Sequence, residues 1–150
     1  MTKKTAELAE RNIHSLHFKL VCLTKPLLSE RGLTPPRARV LMQIMRKQPA
    51  NMSALNLPLN ITRSTLTSLV DSLVRDGFVE RYRGETDRRK VYLTVTKCGA
   101  DLLEEMHSCA RTYLEESLKG LTREERESLL RSLETINGRL EEIMQREKSL

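Results

Sequence analysis

Two short segments hold most of the side chains that could bind a polyanion. The first, Thr62–Ser68, carries five hydroxyl groups and the cation Arg63. Hydroxyls, cations and the free N–H groups of a helix start all bond to phosphate oxygens, and small side chains let a helix approach base edges closely. The second segment supplies four cations within eight residues, beside two acids: Arg83, Arg88, Arg89 and Lys90, with Glu85 and Asp87. Both segments favour contact with a nucleic acid.

The first segment opens an amphipathic helix. Thr62 is placed to cap the helix, and Asp76-Gly77 is placed to end it. One unbroken apolar stripe runs along it at helical spacing: Leu66, Leu69, Val70, Leu73 and Val74. Ser64, Ser68, Asp71 and Arg75 fall roughly opposite the stripe. The pattern therefore predicts a helix with a buried side and an exposed polar side.

The second segment forms the tip of a predicted β-hairpin. From Phe78 the hydrophobic period changes from 3.6 to 2, which is typical of strands. Residues 78–83 and 90–95 are the two β-prone runs, and the charged residues 84–89 join them. The cations therefore lie at or beside the turn of the hairpin.

Helices are predicted on both sides of these elements. Residues 5–31 form a long helix in which Pro26 is expected to cause a kink or break near Leu23, and residues 35–47 form a second helix capped by Thr34. A short piece capped by Asn51 follows, and Pro58 is expected to leave it short, bent or partly 3₁₀. Thr96 caps the next helix, and Thr122 with Glu125 forms a capping box for the last one, whose apolar seam is Leu129, Leu133, Ile136, Leu140 and Ile143.

This order of elements predicts a mostly α fold with a small β-hairpin wing, namely a winged helix-turn-helix. The predicted winged helix-turn-helix lobe comprises residues 35–97. The apolar surfaces of 1–34 and 98–150 are too large for so small a lobe to cover, so these ranges are predicted to form a helical dimerisation region from the N- and C-terminal helices.

Composition and charge agree with one basic module. The chain has 150 residues, 39% of them apolar, and its apolar runs are too short to supply the roughly 20 residues of a membrane span. Residues 35–97 carry twelve basic and five acidic groups, whereas residues 98–150 carry eight and twelve. A basic middle indicates polyanion binding, although a solvated basic surface has the same charge. The charged N-terminus is not an apolar leader, so we expect a cytoplasmic protein.

Two stretches resemble the MarR family of bacterial and archaeal transcriptional regulators. Residues 61–81, ITRSTLTSLVDSLVRDGFVER, resemble the family's recognition helix and the start of its wing. Residues 87–99, DRRKVYLTVTKCG, resemble its wing motif, in which an Asp and an Arg two residues apart precede a Leu-Thr strand and a helix-opening Gly. The resemblance makes Arg89 the residue expected in the minor groove and Asp87 its orienting partner. Ser68 departs from the family, which often has Arg at this position.

The resemblance also implies partners. The family forms homodimers that present two winged lobes to a pseudo-palindromic DNA site, and it often binds small aromatic acids or phenolic effectors beside the lobe. His17, Arg39 and Met42 are the candidate effector-binding residues by position. The candidate DNA-binding residues, from the residue chemistry and the resemblance together, are Thr62, Arg63, Ser64, Thr65, Thr67, Ser68, Arg88 and Arg89.

The sequence therefore predicts a sequence-specific, double-stranded DNA-binding transcriptional regulator, more specifically a ligand-responsive repressor. The alternative is a winged-helix module that binds a protein or RNA and has no discrete DNA operator. No nucleophile triad, Gly-rich phosphate loop or HExxH pattern occurs, so neither an enzyme nor a cofactor is expected.

Histidines and cysteines offer two further hypotheses. His14 and His17 share a helix face but lack a third ligand at close spacing, which favours ordinary exposed histidines over a metal site. Cys22, Cys98 and Cys109 are an odd set without paired spacing, and either inert packing or redox sensing fits them.

Overall fold

Six helices and one β-hairpin make up the part of the chain that the structure, a computed structural model, describes: residues 3–59, 61–84 and 90–148. The helices are α1 (Lys3–Glu30), α2 (Pro35–Lys47), α3 (Met52–Leu59), α4 (Arg63–Arg75), α5 (Lys97–Leu118) and α6 (Arg123–Lys148), and the strands are β1 (Val79–Arg83) and β2 (Val91–Val95). The mostly α class with a two-stranded wing is confirmed. The chain divides into two compact units, Met1–Arg111 and Thr112–Leu150.

The core of the first unit lies where α2, α3, α4 and the hairpin meet. The apolar stripe of α4 supplies Leu66, Val70 and Leu73, which are fully buried, and Leu69 and Val74 pack against the same core. Other elements contribute further fully buried residues to the same core, among them Leu41, Ile44, Leu55 and Leu93. Burying one side of α4 in this way leaves its polar side exposed.

Side chains cap four helices at the predicted residues. The Thr62 hydroxyl accepts a hydrogen bond from the backbone N–H of Thr65 at 3.2 Å, and Asn51 Oδ1 accepts one from Ala54 at 2.8 Å. At α5, Thr96 Oγ1 accepts a bond from Gly99 N at 3.1 Å. Thr122 and Glu125 form the full reciprocal capping box, with bonds of 2.8 and 3.3 Å to each other's backbone N–H. Each cap satisfies a donor that the helix start leaves without a partner.

The wing is an antiparallel pair with Val79 opposite Val95 and Arg83 opposite Val91. An additional bridge joins Ala50, in the loop between α2 and α3, to Leu93 of β2, with bonds of 3.0 and 2.7 Å. The sequence pattern did not predict this bridge. It attaches the outer edge of the hairpin to the helical part of the lobe.

Two expectations, one about a proline and one about a cap, need correction. The break near Leu23 does not occur, because α1 continues through Pro26 to Glu30, and burial of Leu28 in the core holds the last turn. Thr34 occupies the N-cap of α2 but its side chain makes no capping bond. Pro36 follows at the second helical position and removes one of the donors that such a cap binds.

The α3 helix is short, as expected, but it is α-helical rather than partly 3₁₀. Pro58 lies one residue before the end of the helix and cannot donate to the carbonyl of Ala54. That carbonyl instead accepts a hydrogen bond from Lys47 Nζ at 3.3 Å. The missing backbone bond is thus replaced by a side chain from α2.

Candidate nucleic-acid interface

The start of α4 presents its polar residues to solvent. Every member of Thr62–Ser68 is exposed except Leu66, which is fully buried. The first three hydroxyls form a small network, in which Thr62 Oγ1 lies 3.1 Å from Ser64 Oγ and 2.7 Å from Thr65 Oγ1. The network therefore presents oriented hydroxyl groups beside the free N–H groups of the helix start, where a phosphate would bind.

The remaining polar residues of this segment have capacity for a ligand. The Arg63 guanidinium and the Ser68 hydroxyl make no hydrogen bond or ion pair with the described residues. The Thr67 hydroxyl donates to the carbonyl of Arg63 at 2.9 Å and keeps its lone pairs available as acceptors. Among the described residues, the segment thus combines one unpaired cation with a hydroxyl that can donate or accept and a hydroxyl that can only accept.

An ion pair joins the recognition side of α4 to the wing. Arg81 of β1 donates to the carboxylate of Asp71 on α4 at 2.5 Å. Asp71 is an acid on a surface expected to face a polyanion, and Arg81 offsets its charge there. Helical spacing predicted that Asp71 is exposed but not that Arg81 is its partner. Arg81 lies two residues after the buried Val79, so the two side chains share the face of β1 nearer the helix.

The predicted wing-tip residues Asp87, Arg88 and Arg89 lie outside the described residues. The hairpin is described up to its last pairing, where Gly84 N donates to Lys90 O at 3.0 Å. On one face of the described strands Tyr82 and Tyr92 stack with ring centroids 5.8 Å apart. Arg83 and Lys90, on either side of the tip, are exposed.

A cavity of about 380 Å³ opens within the first unit, and all three candidate effector residues line it. His17 comes from α1, and Arg39 and Met42 come from α2. Other lining residues are mainly apolar and come from five helices, α1 to α5, among them Val21, Leu28, Leu69 and Met106. The Arg39 guanidinium has no partner among the described residues. An apolar cavity of this size with a cation in its lining suits a small ligand that carries one acidic group.

The cysteines do not form a buried set. Cys22 and Cys98 are exposed in the single chain, and Cys109 is half-buried. Within the described ranges, no group of three or more His, Cys, Asp or Glu side chains is arranged to hold a metal ion. None of the described helices is both long and apolar enough to cross a membrane.

The fold and this surface define a class. A helix pair ending in α4, with its exposed hydroxyl-rich start, followed by a two-stranded hairpin, is a winged helix-turn-helix. Such a lobe presents the second helix of the pair to a DNA groove, with the hairpin beside it.

Comparisons with known proteins identify the family. The MarR family model matches residues 33–91. The multiple antibiotic resistance protein MarR of Escherichia coli is 31% identical over 116 residues, which cover 77% of this chain and 81% of that protein. The HTH-type transcriptional repressor YetL of Bacillus subtilis is 29% identical over 112 residues, which cover 73% of this chain and 67% of that protein. The chain belongs to the MarR family and is a DNA-binding transcriptional regulator.

A solved structure agrees on the fold. FabT of Streptococcus pneumoniae, crystallised in complex with DNA, superposes with a TM-score of 0.70 over 92% of this chain and 99% of that one, at 22% identity. The family explains why a basic lobe, a polar recognition helix and a hairpin occur in this order.

Proposed function

We propose that the chain is a ligand-responsive repressor that binds a pseudo-palindromic operator as a homodimer. The observation that carries the proposal is the exposed, hydrogen-bonding start of α4, with Thr62–Ser68 in solvent and Leu66 anchored in the core. The cytoplasm is the compartment that this function implies. The division into 1–34, 35–97 and 98–150 is part of the same proposal.

In the proposed complex, α4 enters the major groove and the wing reaches the neighbouring minor groove. Ser64, Thr67 and Ser68 contact base edges, while Thr62, Thr65 and Arg63 contact phosphates. Arg89 enters the minor groove, Asp87 orients it, and Arg88 binds the backbone. The basic charge of residues 35–97 supports this assignment, since phosphate contacts supply much of the affinity of such proteins.

The exposed apolar residues of the terminal helices support a homodimer. In α6 the seam residues Leu129, Leu133, Ile136, Leu140 and Ile143 are all at least 40% exposed. In α1 the corresponding exposed residues are Leu8, Ile13, Leu16, Phe18 and Leu23. Rows of this length are costly in water and are buried when two identical chains pair through them. Two-fold symmetry would then set the two recognition helices about 34–36 Å apart, one turn of DNA.

The cavity supports a small-molecule effector. Its apolar lining suits an aromatic ring, and Arg39 and His17, which both line it, suit a carboxylate or phenolate. Met42 offers an adaptable apolar contact. The effector acts by binding more tightly to a state of the dimer whose lobes do not match the operator, so that it shifts the population away from DNA.

A binding experiment tests the proposal. Duplexes selected by the protein from a random pool should contain a palindrome, and the protein should bind this palindrome far more tightly than a scrambled duplex of equal length. Benzoate should weaken binding to the palindrome, and Arg39→Met should reduce that effect. Equal binding to both duplexes would contradict the proposed operator recognition and would favour a protein- or RNA-binding module.

A further inference from the structure

The side chain of Arg37 connects the start of α2 to the end of α4. Its Nη1 donates to the carbonyl of Gly32 at 2.8 Å, and its Nη2 donates to the carbonyl of Ser72 at 3.2 Å. The same Nη2 pairs with the carboxylate of Asp76. Only 11% of the Arg37 side chain is exposed. One guanidinium thus holds the α1–α2 turn and the last turn of the recognition helix together.

The Asp76 carboxylate depends on this contact. Asp76 is the C-cap of α4, where the helix dipole disfavours an acid and favours a cation. Arg37 supplies that cation and also bonds to Ser72, whose carbonyl belongs to the last turn. Arg75 lies 3.5 Å from the other carboxylate oxygen but is largely exposed, so it is the weaker partner. The Arg37 hydrogen bond is the largest cause that lowers the pKa of Asp76.

Arg37 also belongs to the segment of α2 that lines the cavity. Its neighbours Pro35, Pro36 and Ala38 line the cavity, and so does Leu69 of α4. Meanwhile the Nε–H of Arg37 is buried and has no hydrogen-bond partner among the described residues. A buried donor without a partner is unfavourable. If the start of α2 shifts so that this N–H gains a partner, the Arg37 side chain turns away from α4. The new hydrogen bond would therefore form at the expense of the bonds to Ser72 and Asp76.

We propose that Arg37 is a positioning residue that fixes α4 for base recognition and transmits occupancy of the cavity to it. Arg37 contacts no DNA itself. A ligand between α1, α2 and Leu69 moves the start of α2, Arg37 moves with it, and the last turn of α4 loses its anchor. This inference rests on the proposed function, because it assumes an operator and an effector cavity.

Substitutions at Arg37 separate positioning from folding and from phosphate contact. Arg37→Gln should weaken binding to a palindrome selected by the wild-type protein by about tenfold, as expected for loss of charged hydrogen bonds. Binding to a scrambled duplex, and the slope of log affinity against log salt, should stay the same. Asp76→Asn, which leaves Arg37 in place, should shift binding in the same direction by a smaller factor. Arg37→Lys, which keeps the positive charge, should lose less affinity for the palindrome than Arg37→Gln.

Arg31→Gln is the matched control, because it removes the same charge from the neighbouring turn. Arg31 pairs with Glu105 of α5 through bonds of 2.8 and 2.9 Å and makes no described contact with α4. Its substitution should leave binding to the palindrome unchanged. An equal loss of DNA affinity in Arg31→Gln and Arg37→Gln would overturn the proposal. So would an equal loss of affinity for the palindrome and the scrambled duplex in Arg37→Gln, because a folding defect weakens binding to both.

A cavity-filling variant tests transmission without a ligand. Met42→Trp places a large ring in the cavity and should weaken binding to the palindrome in the wild-type background. In the Arg37→Gln background the same substitution should have little further effect, whereas additive losses would show that the cavity acts independently of Arg37. If the wild-type protein selects no duplex at all, the proposed function fails first. If the wild-type protein does select a palindrome and Arg37→Gln binds it with full affinity, only the role of Arg37 is overturned.

Discussion

Arg81 on the first wing strand donates to the carboxylate of Asp71 on the exposed side of α4 at 2.5 Å. The pair joins the two elements that a winged helix-turn-helix presents to DNA. Because both side chains are more than one-third exposed, the pair contributes little to stability. Its effect is expected on the charge and relative orientation of the helix and the wing.

The two members of this pair should respond to substitution with opposite signs. Arg81→Ala should lower DNA affinity several-fold, because it leaves the Asp71 carboxylate uncompensated beside phosphates. Asp71→Asn should leave affinity unchanged or raise it. Fluorescence anisotropy with one duplex measures the affinity of both variants. Arg111→Ala is the control, because it breaks an exposed ion pair with Glu104 on α5. Equal losses for Arg81→Ala and Asp71→Asn would contradict a charge-compensating role.

Phosphate contacts should be visible in the salt dependence of binding. Arg63→Ala and Arg89→Ala should each weaken binding and reduce the slope of log affinity against log salt by about 0.9 for every phosphate that the variant no longer neutralises. Ser64→Ala and Thr67→Val should instead change the preferred sequence and leave the slope unchanged. Titrations at four salt concentrations distinguish the two groups. A slope that is the same in Arg63→Ala as in the wild type would remove Arg63 from the phosphate-binding set.

The α6 seam should control assembly. Leu133→Glu should produce a monomer, because it places a carboxylate in the centre of the proposed dimer contact. Arg131→Glu is the control, since it introduces the same acid on the opposite side of α6. Light scattering during gel filtration gives the mass directly. A dimer that survives Leu133→Glu, or a wild-type monomer, would refute pairing through this seam.

Gly99 should be sensitive to addition of a single methyl group. A Cβ at this position would lie 2.3 Å from the carbonyl oxygen of Phe78 and 2.8 Å from Val95 Cγ1, closer than folded chains allow. Gly99→Ala should therefore destabilise the protein by about 1–3 kcal/mol. Gly138→Ala, inside α6 with nothing within 4 Å of the added atom, should instead stabilise it by about 0.5–1 kcal/mol. Urea unfolding checks both signs.

Acid should remove the contribution of the Asp76 contact to stability. The hydrogen bond from Arg37 is the main cause that lowers the pKa of Asp76 below its ordinary value of 3.8. An acid with a lowered pKa in the folded state stabilises the fold above its unfolded pKa, and this contribution is lost as the pH falls through the folded value. The stability difference between wild type and Asp76→Asn should therefore be largest near neutral pH and shrink below 3.8. Asp101→Asn serves as the control, and a difference independent of pH would contradict the expectation.

Local patterns in the sequence predicted the elements of this protein and their order. Caps such as Thr62 and Thr96 depend on residues three positions away, so the helix starts were predictable from spacing alone. The stripe on α4 also predicted which of its residues are buried, since helical spacing fixes which side chains share a face. The exposed hydroxyls of the candidate interface follow from the same rule.

Only the tertiary structure decided the contacts between distant residues. The Arg37–Asp76 pair spans 39 positions and the Ala50–Leu93 bridge spans 43, and neither has a periodic signal in the sequence. The break expected near Leu23 is absent for the same reason, because core packing of Leu28 holds the last turn of α1 beyond Pro26. The bond from Lys47 to the Ala54 carbonyl likewise has no signal in the local pattern. Spacing determines what one element can bury. The free energy of packing several elements together decides which long-range partners meet.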